Sequence, residues 1–186
     1  MKKNYTLIII LAVVAVIALL GISSYNEIAK KGEAVDSAYA DINVQLKRRT
    51  DLIPNLISTV KGYMAHEESI INSITEARSA LVNAKTPKDQ AKANSELTNA
   101  LSSLNVIVEN YPDLKSNTNF IQLQDELAGT ENRIAVSRKN YNDAVKDYNQ
   151  SIIVFPKNII ASIAGFDKKD YFEVSESETG VPNVEF

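Results

Sequence analysis

His66-Glu67 is the one dipeptide in this chain that resembles the start of a catalytic motif. A zinc protease would need a second histidine four residues after the first, on the same helical face, and that position is Ile70, so the motif is incomplete. A carboxylate-bundle metal site would need Glu three residues before the histidine, and Tyr63 stands there. A serine hydrolase would have to take its only possible base from His66, and no serine lies in a nucleophile-elbow pattern. The chain has no cysteine, which excludes thiolate metal ligands, a cysteine nucleophile and disulfides. No glycine-rich phosphate loop is present. The sequence therefore predicts no catalytic, cofactor-binding or metal-binding residue, and His66 reads as a lone surface or capping side chain.

The remaining candidates are charged. Lys47-Arg48-Arg49 is a short basic cluster. Lys47 and Arg48 read as the solvated end of a helix, where cations oppose the negative pole of the helix dipole, or as a contact for an acidic partner. The carboxyl end, Val184-Glu185-Phe186, alternates apolar and polar residues up to the free carboxylate. That pattern suits capture by an exposed sheet edge on a partner; the plainer reading is an inert tail. A net charge of −3 gives no reason to expect nucleic acid as a partner.

These residues must be carried by helices. Glycine and proline number six and five in 186 residues, too few for the turns of an all-β fold. Leu7 to Ile22 carries no polar side chain. Tyr5 and Tyr25 bracket it, and a helix between them reaches about 30 Å, the thickness of a bilayer core. Tyrosine suits the two interfaces, because its ring is apolar and its hydroxyl is polar. The alternative is a cleaved secretory signal with Lys2 and Lys3 ahead of it and a weak cleavage site at Gly21-Ile22-Ser23. The continuing helical pattern favours a retained span. Lys2 and Lys3 favour a cytoplasmic N-terminus, against Lys30 and Lys31 on the other side.

Apolar residues then recur at three-four spacing through Tyr25, Ile28, Val35, Tyr39, Ile42, Leu46 and Ile53, and Arg49 interrupts the seam. Pro54 is expected to end or kink this first helix. A second stripe runs Leu56, Val60, Tyr63, Ile70, Ile74, Ala77 and Leu81, interrupted by Glu67. Thr86-Pro87-Lys88-Asp89 predicts a helix start, with Thr86 as N-cap and Pro87 in the first position. Ala93, Leu97, Ala100, Leu104, Ile107 and Tyr111 form the third stripe, closed by Tyr111-Pro112-Asp113, and a polar loop follows through Lys115, Ser116 and Asn117. In the fourth helix Phe120, Leu127, Ile134, Tyr141, Tyr148 and Phe155 are seven apart, beside a smaller row of Leu123, Thr130, Ser137, Ala144 and Ser151. A strict seven-residue repeat implies left-handed supercoiling.

The predicted fold is all-α: an N-terminal transmembrane helix followed by an up-down-up-down antiparallel four-helix bundle. The expected division is an anchor over 1–25, a bundle over 26–172 and an acidic flexible tail over 173–186. Counting the helical rise puts Arg49 at about 40 Å above the membrane and Glu131 at about 36 Å. With a turn at Pro54, Glu67 and Arg138 share a level near about 26 Å. Two buried charge pairs are therefore expected, Arg49 with Glu131 and Glu67 with Arg138. The alternative is that each charge reaches solvent at the edge of its stripe.

The sequence resembles the LemA family along nearly its whole length. The resemblance rests on Gln45-Leu46-Lys47-Arg48-Arg49, Asp51-Leu52-Ile53-Pro54-Asn55-Leu56, Thr59-Val60-Lys61-Gly62-Tyr63 and His66-Glu67. It continues through Tyr111-Pro112-Asp113-Leu114, Asn119-Phe120, Thr130-Glu131-Asn132, Tyr141-Asn142, Phe155-Pro156 and Gly165-Phe166. It implies a bacterial membrane protein with one N-terminal span and a four-helix bundle. The family has no accepted catalytic residues; some members are linked to membrane proteases, envelope stress or magnetosome membrane shaping. None of these roles transfers residue by residue. The leading expectation is a non-enzymatic scaffold or adaptor in the bacterial cytoplasmic membrane, with its bundle outside the cytoplasm and other envelope proteins as partners. The alternatives are a membrane-organising protein that self-associates laterally, a possible homo-oligomer, and a metal-dependent sensor or enzyme.

Overall fold

The computed structural model describes residues 2–64 and 66–173, with the side chains of residues 2–4 and 6 left out. Every regular element among them is helical: α1 (Lys2–Lys61), α2 (Glu68–Asn83), α3 (Pro87–Val108), α4 (Pro112–Lys115), α5 (Thr118–Ile153) and α6 (Lys157–Ala164). This is the all-α bundle expected from the periodicity. The chain divides into two compact units. Among the described residues, one joins 2–38 with Asn142–Lys169, and the other joins Tyr39–Tyr141 with 170–173.

In the first unit, α1 opens with the apolar run. Leu7, Leu11, Ile17 and Ile22 are each about 60% exposed, and none of the described residues covers the most apolar stretch of the helix. A helix apolar on every side and uncovered by protein is suited to lipid. Beyond it Ile28 and Val35 are buried, as are Val145, Tyr148 and Ile152 of α5. Gly32 faces the Tyr148 ring of α5, and a Cβ there would make an ordinary contact at 3.5 Å from Tyr148 Cε2. Asn149 ties down the segment after α6. Its Nδ2 donates to Lys169 O at 2.9 Å, and its Oδ1 accepts from Lys169 N at 2.9 Å.

The second unit is a four-helix bundle built from the end of α1, α2, α3 and the start of α5. Its contacts give the directions. Asn43 and Arg49 of α1 meet Gln90 and Asn94 of α3 in the same order, so these two helices run parallel. Tyr39 meets Tyr141 while Tyr63 meets Asn117, so α1 and α5 run opposite ways. The order is up, down, up, down. Its core holds Ile42, Ile53, Leu56, Met64, Ile74, Leu97, Leu104, Leu114, Phe120 and Ile134, each at most 2% exposed.

Three local expectations need correction. First, α1 does not end at Pro54 but continues to Lys61, and the break falls between α1 and α2, at Gly62–Glu67. Proline removes the N–H that would bond the carbonyl four residues back, which is Thr50 O. Here Arg78 Nε of α2 donates to that carbonyl at 2.8 Å, so the helix passes through the proline without an orphaned acceptor. Second, the polar loop after Tyr111 contains a helical turn, α4, which buries Leu114. Third, Phe155 does not join the buried row of α5. The helix ends at Ile153, and Phe155 is 76% exposed.

The start of α3 follows the sequence expectation closely. Thr86 is the N-cap, and its Oγ1 accepts from Asp89 N at 3.1 Å. Thr86→Ala should cost about 1 kcal/mol in a chemical melt, with the loss localised to α3 amides in hydrogen exchange.

Candidate functional site

Arg49 interrupts an apolar seam, yet it is only 3% exposed. Its Nη1 donates to Asn94 Oδ1 at 2.5 Å and its Nη2 donates to Thr98 Oγ1 at 3.0 Å. Asn94 and Thr98 are one turn apart on α3, so a single helical face presents both acceptors. Glu131 of α5 brings Oε2 to 2.5 Å from Arg49 Nη1. This oxygen makes no directed hydrogen bond, so the contact is charge pairing off the N–H axes. The carboxylate side chain is 37% exposed, so water reaches one side of it. The buried residues Thr50, Ser95 and Thr130 lie next in sequence to Arg49, Asn94 and Glu131. Thr130 Oγ1 donates to Glu126 O at 2.7 Å, which satisfies its hydroxyl within α5. Together these residues form a polar layer across three helices.

The neighbouring basic residues face outward. Arg48 Nη2 lies 2.5 Å from Glu126 Oε2, and Lys47 Nζ lies 2.9 Å from Asp51 Oδ2 one turn along α1. Exposed pairs of this kind contribute at most about 1 kcal/mol. Val184, Glu185 and Phe186 lie outside the described residues.

Glu67 is not brought to Arg138. It sits between helices as the N-cap residue of α2, and its Oε1 accepts from Tyr111 OH at 2.9 Å. The physical reason is the position of the turn. Because α1 runs on past Pro54, Glu67 falls at the far end of the bundle, near the start of α5, where Tyr63 OH accepts from Asn117 Nδ2 at 2.9 Å. Arg138 lies about 30 Å along α5 from that end.

Three tyrosines have raised pKa values. Tyr39 is raised by burial, against a hydrogen bond with Asn43 that lowers it. Tyr111 is raised mainly by its hydrogen bond to the Glu67 carboxylate, then by burial and by that group's charge. Tyr148 is raised mainly by burial, then by the charges of Asp167 and Asp36. A raised folded-state value means that the neutral phenol is favoured in the native protein. Its contribution is complete below the ordinary tyrosine value of about 10, and it is lost as pH rises through the shifted values. Denaturant midpoints should therefore fall on going from about pH 8 to about pH 11. Tyr111→Phe should fall less steeply over the same interval; equal slopes in the two proteins would count against the Glu67 contact.

Asn94, Thr98 and Arg78 carry no motif and interrupt no apolar seam in the sequence. Asn94 stands beside Ala93 and three residues before Leu97, so a polar side chain next to an apolar stripe was the available signal. Among the described residues no group of three or more His, Asp or Glu side chains is placed to hold a metal ion. His66 is exposed. A cleft of about 300 Å³ lies over the polar layer, lined by Arg49, Thr98, Gln124, Ala128 and Glu131 among others. The acceptors of α3 and α5 draw the guanidinium inward, an arrangement that fixes helix positions.

An uncovered apolar N-terminal helix and a helical bundle with a buried charge layer define an all-α, membrane-anchored protein. The comparisons with known proteins agree. The LemA family profile matches residues 38–186, and the chain belongs to that family. It is 28% identical to magnetosome protein MamQ 2 of Paramagnetospirillum magneticum, covering 88% of this chain and 70% of that protein. It is 24% identical to protein LemA of Metamycoplasma hominis, covering 95% and 81%. It is 27% identical to magnetosome protein MamQ of Magnetospirillum gryphiswaldense, covering 88% and 69%.

Proposed function

We propose that this protein is a non-enzymatic scaffold or adaptor of the bacterial cytoplasmic membrane, which presents a helical surface to other envelope proteins. Residues 1–25 anchor it, residues 26–172 form the presented body, and the acidic tail over 173–186 adds a contact. The observation that carries this reading is the use of the buried charge. Arg49 is occupied by Asn94, Thr98 and Glu131 from two other helices, which suits holding a shape. The relatives are named magnetosome protein MamQ and protein LemA, and none of those names is an enzyme's. Lys2 and Lys3 support a cytoplasmic N-terminus with the body outside, against Lys30 and Lys31 on the other side of the span.

Proximity labelling in cells tests the adaptor role. The full chain should enrich a reproducible partner set, reduced when residues 173–186 are deleted. Recovery of the same set by an unrelated anchored helical rod would sink the reading. Orientation is tested separately. The chain has no cysteine, so a single Ser73→Cys on exposed α2 should react with a membrane-impermeant maleimide in intact cells. Reaction only after lysis would place the body inside.

A further inference from the structure

The corner between α5 and α6 is unusually apolar on its outside. Ile153, Val154 and Phe155 are 56%, 55% and 76% exposed, and Ile159 and Ile163 are 49% and 80% exposed. Elsewhere after Tyr25 the exposed aliphatic residues, such as Val44, Val82 and Val106, stand singly on separate stretches of chain. Isolated residues of that kind are ordinary, whereas a contiguous patch marks a contact surface.

The location of this patch identifies what covers it. A Cβ on Gly21 would lie 3.6 Å from Ile160 Cδ1, so α6 rests against the last turn of the apolar run of α1. Nearby, Tyr25 and Phe166 bring their ring centroids to 5.4 Å. Lys157 Nζ, at the start of α6, lies 2.5 Å from Glu27 Oε1, about 9 Å farther along α1 than Gly21. Ala161 forms the buried side of α6. Ile159 and Ile163, one turn apart, are open on its other side. A bilayer that encloses Leu19, Leu20 and Ile22 of α1, all about 60% exposed or more, therefore meets α6 through the Gly21–Ile160 contact.

We propose that the α5–α6 corner is a second membrane-binding element, which lies in the interface and places Phe155, Ile159 and Ile163 at the boundary between headgroups and acyl chains. A short amphipathic helix with apolar side chains on one face and a lysine at its edge has the chemistry for that position. Lys157, paired with Glu27, sits on the aqueous side, with exposed Lys30 on the same helix as Glu27. The helix that carries the patch touches the lipid-facing run of α1 through the Gly21–Ile160 contact, which favours lipid over a second copy of the chain as its cover. The element adds a second point of attachment, so the unit that contains it is restrained in rotation about the span. This inference depends on the membrane anchor and is independent of the adaptor reading.

The chain has no tryptophan, so a single Ile163→Trp reports only on this corner. The full-length variant is reconstituted into phosphatidylcholine–phosphatidylglycerol vesicles, with Val106→Trp, at a position 73% exposed on α3, as the reference. The expected result is blue-shifted emission for Ile163→Trp, protection from acrylamide and severalfold stronger quenching by acyl-brominated lipid than for Val106→Trp. Equal behaviour of the two variants would overturn the proposal. So would acrylamide protection without lipid quenching that disappears on dilution of protein in lipid, since that is the signature of a second copy. Tryptophan itself favours interfaces, so a nitroxide on Ile163→Cys provides the second measurement. It should be more accessible to oxygen than to a water-soluble nickel chelate, and the opposite order would overturn the proposal.

Discussion

Glu131→Ala should destabilise the bundle by about 3 kcal/mol, because it removes the carboxylate paired with the buried Arg49 guanidinium. Asn94 and Thr98 still accept two of its hydrogen bonds, and the partial exposure of Glu131 admits some water, which keeps the loss at the lower end of the range for a broken buried pair. The control is Glu126→Ala, which breaks only the exposed contact to Arg48 and should cost less than about 1 kcal/mol. Replacing both members of the buried pair, as Arg49→Met with Glu131→Leu, should restore stability to near that of the native chain. The apolar pair no longer penalises a shifted helix. Its expected signature is a weaker near-ultraviolet tyrosine signal at unchanged helix content. Urea titration in detergent micelles, followed by circular dichroism, measures all four proteins. Equal costs for Glu131→Ala and Glu126→Ala would show that the polar layer contributes nothing beyond a surface pair.

The second large effect separates two phenylalanines that occupy equivalent places in the same seven-residue row. Phe120→Ala removes a ring that is 2% exposed and should cost about 3–5 kcal/mol. Phe155→Ala removes a ring that is 76% exposed and should change the melt by less than about 0.5 kcal/mol. The same titration reads both. A large loss at Phe155 in micelles would mean that the ring packs on protein after all.

This pair also shows how far periodicity carries. The row through Phe120, Leu127, Ile134, Tyr141 and Tyr148 is buried throughout, because a repeat of seven keeps one face toward neighbouring helices. Phe155 keeps the spacing but lies beyond Ile153, where the helix has ended, and spacing carries no meaning outside a helix. The Thr86-Pro87-Asp89 start was legible because capping is a local matter of a few residues. Counting the helical rise placed Arg49 and Glu131 at similar heights, and the structure sets their charged atoms 2.5 Å apart. The same counting misplaced Glu67, since it assumed a turn at Pro54. The actual turn follows Lys61, which raises the turn by about 10 Å, and Glu67 stands at that turn instead of partway down a descending helix, about 30 Å from the level of Arg138. Asn94 and Thr98 escaped notice because they flank the apolar stripe of α3 instead of interrupting it. Whether a flanking polar residue is buried depends on how close the next helix comes, which no single-helix pattern reveals.

Pro54 and Arg78 illustrate a dependence of another kind. The acceptor through which α2 grips α1 is the main-chain oxygen of Thr50, left vacant only because residue 54 is an imino acid. The side chain at position 50 can therefore vary without removing the grip, while a change at position 54 alters it from a full turn away. In a Pro54→Ala background the new amide competes for the same oxygen, so Arg78→Ala should cost less there than in the native chain. A double-mutant cycle would record this as a coupling energy of about 0.5 kcal/mol or more between two residues on different helices.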